Sequence, residues 1–158
     1  MPASYDASML AEKVESNLAA IRATLEDAGA VLAYLFGSAA KGTDRSGSDL
    51  DIAVLLGPEV PAERYGEVRL RLLTDLVGLT HTDDVDLALL NIAPPLLAFE
   101  IITTGRLLLG SRRQQVRFEI EANRRYIDTR PLRQFLGEDI LRRIREGARD
   151  LKESQGKW

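Results

Sequence analysis

Two stretches of sequence decide the fold: Val31-Leu-Ala-Tyr-Leu-Phe36, which runs into Gly37-Ser38, and Leu50-Asp-Ile-Ala-Val-Leu-Leu56, which Asp49 precedes. Each stretch has the length and the apolar composition of a buried strand. Because side chains alternate along a strand, Asp49 and Asp51 are expected on the same face of the second one. The two stretches therefore predict adjacent strands joined by a polar segment.

The flanking segments alternate between helical and strand patterns. Apolar residues recur every three or four positions from Leu10 to Leu25, which predicts one amphipathic helix that Gly29 ends. Further elements are predicted along the chain: a helix from Pro61 to Gly78, a strand over Val85 to Leu90, a helix after Pro94-Pro95, a small edge strand over Arg106 to Leu109, and helices beyond with a break at 129–131. This order predicts an α/β or α+β fold, with a small mixed β-sheet, packed helices and a helical C-terminal segment.

Composition limits the class of protein. With 158 residues, 45% of them hydrophobic and 28% charged, the chain is expected to form one domain over 1–158, with a core at about 10–110 and a helical extension at about 111–150. Without cysteine, disulfides, thiolate zinc sites and cysteine nucleophiles are excluded. His81 is the single histidine and lies in a polar connection, so a serine–histidine–aspartate hydrolase is not expected.

Charge is unevenly distributed along the chain. Residues 1–110 hold 8 Lys/Arg and 16 Asp/Glu, whereas residues 111–158 hold 13 and 8, and the net charge is -3. The basic tail is either a solvated helix surface or a contact for phosphates or an acidic partner, and direct nucleic-acid binding is not expected. Neither a signal-peptide pattern nor a long apolar run is present, so no membrane contact is expected and the cytoplasm is the predicted compartment.

The polar residues around the two strands suggest phosphate chemistry. Asp49 and Asp51 would bring two like charges to one place, which a divalent cation would compensate. Magnesium prefers oxygen ligands and binds through one or two carboxylates together with substrate phosphates. On the phosphate side, Gly37 permits a sharp turn close to a ligand, and Ser38 and Lys41 add a hydroxyl and a positive charge.

A third carboxylate, Asp86, interrupts the apolar segment that follows Asp83-Asp84. It would either complete the coordination of a metal or accept the proton of an attacking hydroxyl. The reaction expected from such a set is an in-line displacement at an α-phosphorus with pyrophosphate as the leaving group.

Gly37-Ser38, a ten-residue gap and Asp49-Leu50-Asp51 together resemble the signature of the DNA polymerase β-like nucleotidyltransferases. The segments around Ser38, Ser48 and Val85-Asp86-Leu87, with Gly105-Arg-Leu-Leu-Leu and Arg117-Phe-Glu119, resemble minimal nucleotidyltransferases, the MntA-type antitoxins of HEPN/MNT toxin–antitoxin systems. The similarity covers roughly residues 10–145. Many relatives have arginine at the position of Lys41, so the way this residue binds phosphate is expected to differ.

This resemblance implies an antitoxin that attaches AMP from ATP to a tyrosine of its HEPN ribonuclease partner. It implies that Gly37, Ser38, Lys41 and Ser48 bind the nucleotide. It also implies that Asp49, Asp51 and Asp86 are catalytic and hold Mg²⁺, with two ions expected. Two alternatives stay open at this point: transfer to a small molecule such as an aminoglycoside, and a binding-only antitoxin that masks its partner.

Overall fold

The computed structural model describes residues 9–45, 47–137 and 140. Within this part of the chain, four strands form one mixed sheet in the order β3-β2-β1-β4: β1 Ala30–Phe36, β2 Leu50–Leu56, β3 Val85–Leu89 and β4 Arg106–Leu109. Strand β1 is antiparallel to both β2 and β4, whereas β2 and β3 are parallel. The predicted mixed sheet is confirmed, and so is the edge position of the last strand.

Helices connect the strands and cover both faces of the sheet. They are α1 Met9–Ser16, α2 Leu18–Asp27, α3 Gly37–Lys41, α4 Tyr65–Thr80, α5 Pro95–Thr104 and α6 Arg112–Asp128, with a 3-10 turn at Ala62–Arg64 before α4. Residues 130–137 are also helical. Helix α4 is the crossover that a parallel strand pair requires.

Two apolar clusters hold the helices on the sheet. One face packs against α1, α2 and α4 through side chains such as Val14, Ile21 and Leu72, and the alternate residues of β2 from Leu50 to Leu56 belong to this cluster. The other face, which contains Tyr34 and Ala53, packs against α5 and α6. The strand alternation predicted for β2 is therefore confirmed, and Asp51 lies on the face of α5 and α6.

Both edges of the sheet meet an arginine from a helix. At β4, Arg22 of α2 donates from Nε to the carbonyl oxygen of Leu108 at 2.7 Å. At β3, Arg69 of α4 donates from Nε to the carbonyl oxygen of Leu87 at 2.8 Å. Each guanidinium therefore partners a main-chain carbonyl on an edge strand.

The prediction of a single helix from Leu10 to Leu25 is wrong, because the helix is interrupted at Asn17. The Asn17 side-chain amide donates to the Lys13 carbonyl at 2.9 Å, and the Asn17 backbone N–H turns to Val14 instead, at 3.2 Å. The side chain thus takes the acceptor that a continuous helix would use. Two helices, α1 and α2, result.

Helix α4 also runs past Gly78, its predicted end. His81 takes the left-handed conformation with φ 52° and donates its backbone N–H to the Val77 carbonyl, so it ends the helix. A glycine inside a helix is tolerated at a cost of about 1 kcal/mol. The predicted break near residue 129 is confirmed, since α6 ends at Asp128 and Thr129 forms a turn.

Some predictions lie outside the described residues. Leu141 and Ile144, which were expected on the last helix, belong to this group, and the limits of a single domain over 1–158 stay a prediction. Among the described helices, the structure shows none with the length and apolar character needed to cross a membrane.

Candidate active site

The turn after β1 brings Gly37 into direct proximity with Asp51. Gly37 begins α3 with φ +68°, a conformation that favours glycine. A Cβ atom built on Gly37 would lie 2.2 Å from Asp51 Oδ2. A side chain at this position would displace the Asp51 carboxylate, so glycine lets the backbone of the turn pack against it.

Strand pairing aligns two of the three predicted carboxylates. Asp51 on β2 is the register partner of Phe36 on β1 and of Asp86 on β3. In a parallel pair, register partners project from the same face, and adjacent strands lie about 4.8 Å apart. Asp49 immediately precedes β2 and is exposed, whereas Asp51 is half-buried. The structure therefore brings Asp51 and Asp86 side by side, with Asp49 next to them.

The electrostatics agree with this placement. Burial, then the charge of Asp86 and then that of Asp49 raise the pKa of Asp51 to about 6. Like charges disfavour ionisation of a partly desolvated carboxyl, and a bound cation would favour it. Asp86 and Asp49 therefore both act on the charge of Asp51.

The predicted nucleotide-binding residues lie around the same turn. Ser38 and Lys41 belong to α3, and Lys41 Nζ is 3.7 Å from Glu100 Oε1 of α5. Ser48, in the following loop, accepts a hydrogen bond from the Arg45 backbone N–H at 2.8 Å. The Ser48 oxygen thus fixes the loop before the Asp-x-Asp segment.

Two charged residues at the site carry no signal in the sequence pattern. Arg69 of α4 contacts Asp86, with Nη2 3.5 Å from Oδ1. Glu100 of α5 contacts Lys41, as described above. Both residues reach the site from helices whose placement depends on the tertiary fold, and an exposed arginine or glutamate on a helix has many ordinary roles.

A buried tyrosine lies on the same face of the sheet, two residues before Phe36. The Tyr34 hydroxyl is buried and has no hydrogen-bond partner of acceptable geometry among the described residues. Burial, followed by the charge of nearby Glu119 of α6, raises the pKa of Tyr34 to about 12. The phenol is therefore neutral under ordinary conditions and belongs to the packed floor of the site.

The carboxylate set fits a magnesium ion better than a metal held entirely by protein. Among the described residues, no group of three or more histidine, cysteine, aspartate or glutamate side chains is arranged so that it could hold a metal ion by itself. Magnesium keeps several waters and usually takes one or two carboxylates plus substrate phosphates. Asp51 is half-buried and close to two other carboxylates, and such a group suits that mode of binding.

The fold and this site place the chain among known proteins. A family model described as polymerase beta, nucleotidyltransferase matches residues 20–114. The chain belongs to this nucleotidyltransferase family. The predicted fold class and the resemblance to polymerase β-like enzymes are thereby confirmed.

Individual relatives narrow the comparison. The chain is 31% identical over 110 residues to the protein adenylyltransferase MntA of Shewanella oneidensis, covering 70% of this chain and 76% of the relative. It is similar to a chain in a crystal structure of a toxin–antitoxin with AMP-PNP, with a TM-score of 0.69, 30% identity, and coverage of 79% of this chain and 98% of the other. It is also similar to a chain in the complex of a tri-AMPylated Shewanella oneidensis HEPN toxin with its MNT antitoxin, with a TM-score of 0.61, 27% identity, and coverage of 80% and 98%.

Proposed function

We propose that this chain is an antitoxin that transfers AMP from ATP to a tyrosine hydroxyl of a partner HEPN ribonuclease toxin, releasing pyrophosphate and inactivating the toxin. The observation that carries the proposal is the packing of Gly37 against Asp51, with Asp86 aligned beside it, in a nucleotidyltransferase fold. The acceptor is assigned from the similarity to MntA and to the toxin–antitoxin complexes. With ATP as the substrate, the cytoplasm is the compartment expected for the reaction.

The turn after β1 would bind the triphosphate. Backbone N–H groups near Gly37, the Ser38 hydroxyl and the Lys41 ammonium all lie on one short segment, and Ser48 closes the loop that leads to Asp49. Phosphate oxygens are strong acceptors for such donors. Lysine supplies a point charge, so the orientation of the phosphates would depend mainly on the backbone and on the serine hydroxyls.

Asp49, Asp51 and Asp86 would hold Mg²⁺, and two ions are expected. Magnesium held by these carboxylates would supply positive charge that compensates the charge of the triphosphate and of pyrophosphate. The carboxylates also account for the proton: Asp86 would accept it from the tyrosine hydroxyl through the oxygen that Arg69 leaves free. The tyrosine oxygen then bonds to the α-phosphorus, and the bond from that phosphorus to the bridging oxygen of pyrophosphate breaks.

The direct test is a transfer assay with the purified chain, ATP, Mg²⁺ and a HEPN ribonuclease as the acceptor. Intact-protein mass spectrometry should show the HEPN protein gaining one or more AMP units, and its ribonuclease activity should fall in parallel. Variants Asp49→Asn and Asp51→Asn should abolish both changes. An unmodified, fully active HEPN protein after incubation with the wild-type chain would overturn the proposal.

The same variants separate the proposal from its two alternatives. A masking antitoxin would still neutralise its partner after Asp49→Asn and Asp51→Asn, because masking needs no carboxylate chemistry. A small-molecule transferase would leave the HEPN protein unmodified and move label from ATP to a hydroxylated compound such as an aminoglycoside. Each outcome is visible in one set of reactions with labelled ATP.

A further inference from the structure

Arg69 reaches the site from the opposite side of the sheet. Helix α4 packs its buried residues Val68, Leu72 and Leu76 on the face away from the carboxylates. Arg69 extends around the edge strand β3, donates from Nε to the Leu87 carbonyl at 2.8 Å and brings Nη2 to 3.5 Å from Asp86 Oδ1. One guanidinium thus bridges the backbone of β3 and the third carboxylate.

The hydrogen-bond ladder shows that this backbone contact is made at the open edge of the sheet. The Asp84 carbonyl accepts from the Leu50 N–H of β2 at 2.8 Å, and the Leu90 N–H donates to the Val54 carbonyl of β2, also at 2.8 Å. Even-numbered residues of β3 therefore turn their backbone groups towards β2, and the Leu87 carbonyl points away from it. Arg69 is anchored there, next to the residue whose side chain it contacts.

The charge balance gives this bridge a role at the site. Asp86 is the register partner of Asp51 in a parallel strand pair, so the two carboxylates project from the same face of the sheet. Without a cation nearby, Asp86 would be driven away from Asp51 by repulsion. Among the described residues, the contact with Arg69 is the ion pair that the structure gives to these three carboxylates.

We infer that Arg69 is a positioning residue: its guanidinium, anchored on the Leu87 carbonyl, holds the Asp86 carboxylate beside Asp51. Arginine is suited to this task because its planar fork can serve two acceptors in fixed directions, whereas a lysine ammonium supplies a single mobile charge. The inference builds on the proposed function for its catalytic consequence, but the coupling between Arg69 and Asp86 is a property of the fold itself.

The alternative is that Arg69 only caps an edge carbonyl, and the chain supplies its own control. Arg22 makes the same Nε contact at the other edge, on Leu108 at 2.7 Å, away from the three carboxylates. Arg22→Gln therefore measures the effect of losing an arginine contact to the carbonyl of an edge strand. Arg69→Gln removes the same cap geometry together with the charge that faces Asp86, and Arg69→Lys restores the charge without the fork.

The first measurement is thermal unfolding of the full chain in a metal chelator, as a double-mutant cycle. Arg69→Gln should lower the melting temperature by on the order of 1–3 °C beyond Arg22→Gln. This extra loss should disappear in an Asp86→Asn background, because no charge is then left to compensate. Equal losses in the two backgrounds would mean that Arg69 does not act on Asp86, and would overturn the inference even if the chain proved to have another activity.

The second measurement is AMP transfer to the HEPN protein. Arg69→Gln should lower kcat on the order of 10-fold with little change in KM for ATP, as loss of a residue that supports a site ligand does. Arg69→Lys should recover part of this loss, and Arg22→Gln should stay near wild type. An Arg69→Gln variant that keeps the wild-type kcat, or that changes only the KM for ATP, would overturn the inference. A wild-type chain that transfers no AMP would instead count against the proposed function.

Discussion

At Gly37, the backbone of the turn lies so close to the Asp51 side chain that there is no room for a Cβ atom between them. We expect Gly37→Ala to lower AMP transfer by about 100-fold, since a displacement of about 1 Å at a reacting centre has effects of that size. The new Cβ would meet Asp51 Oδ2 at 2.2 Å and move the carboxylate. Steady-state kinetics with ATP would show the change mainly in kcat.

Gly42 provides the matched control for this substitution. It has the same positive φ of 68°, but a Cβ atom built on it meets nothing within 4 Å. Gly42→Ala therefore introduces comparable backbone strain without the contact to Asp51. If Gly42→Ala reduced transfer as strongly as Gly37→Ala, strain in the loop, and not displacement of Asp51, would be the cause.

Tyr34 allows a test of pH dependence at a single residue. Burial raises the pKa of Tyr34 to about 12, above its usual value near 10, so the folded state favours the neutral phenol. The stability that this preference contributes is complete below about pH 10 and is lost as the pH rises towards about 12. The free energy of unfolding of the wild type should therefore fall in this alkaline range.

Tyr34→Phe should remove this alkaline loss. At pH 7 it should lower the free energy of unfolding by no more than about 1 kcal/mol, the size of one hydrogen bond, because the interaction with Glu119 is the one that the hydroxyl has among the described residues. Urea unfolding at neutral pH and at about pH 10.5 measures both effects. A large loss of stability at neutral pH would show that the hydroxyl makes an important hydrogen bond.

At the scale of elements, α3 and α5 meet through Lys41 and Glu100. The two side chains are 3.7 Å apart and are 47% and 55% exposed. In the proposed site Glu100 would compete with phosphate for Lys41, so Glu100→Gln should lower the KM for ATP by about 2- to 5-fold, the size expected of an exposed ion pair. Lys41→Ala should raise KM, and Glu100→Gln should then have no further effect. A benefit of Glu100→Gln that persists in Lys41→Ala would show that Lys41 is not the residue released.

The strands were the elements best predicted from sequence, because short apolar runs such as Ala30–Phe36 and Leu50–Leu56 leave few alternatives. The helix boundaries were less accessible. At Asn17 a side-chain amide replaces one backbone hydrogen bond, and at His81 a non-glycine residue takes the left-handed position. Both helix ends depend on local backbone conformation and side-chain hydrogen bonds, which the spacing of apolar residues does not reveal.

The candidate site was predictable to the extent that it depends on spacing. The turn at Gly37 and the carboxylates Asp49 and Asp51 lie within fifteen residues of one another, so the pattern is visible along the chain. The assignment of Asp86 to the site required the prediction of a third strand as well as the family resemblance. Arg69 and Glu100 could not be predicted, because α4 and α5 bring them to the site from segments whose packing the sequence does not show.

At the scale of the whole molecule, we expect the charge of the carboxylate cluster to lower stability when no cation is bound. Asp51→Asn removes a half-buried charge beside Asp86 and Asp49, so it should raise the melting temperature in a metal chelator by about 2–4 °C. The same variant should lose AMP transfer. Circular dichroism melting gives the first value, and Asp49→Asn, at an exposed position, should give a smaller rise. A lower melting temperature for Asp51→Asn would mean that the charge is already compensated.

The two arginines at the sheet edges also bear on how copies of the protein behave towards one another. An uncovered edge strand offers free carbonyl and N–H groups to another chain and can start aggregation through strand pairing. Arg22 on Leu108 and Arg69 on Leu87 each occupy a carbonyl with a charged group that another strand would have to displace. At each edge of the sheet, a charged group would thus have to be displaced before another strand could pair there, and at β3 the arginine that opposes such pairing is also the one that holds Asp86.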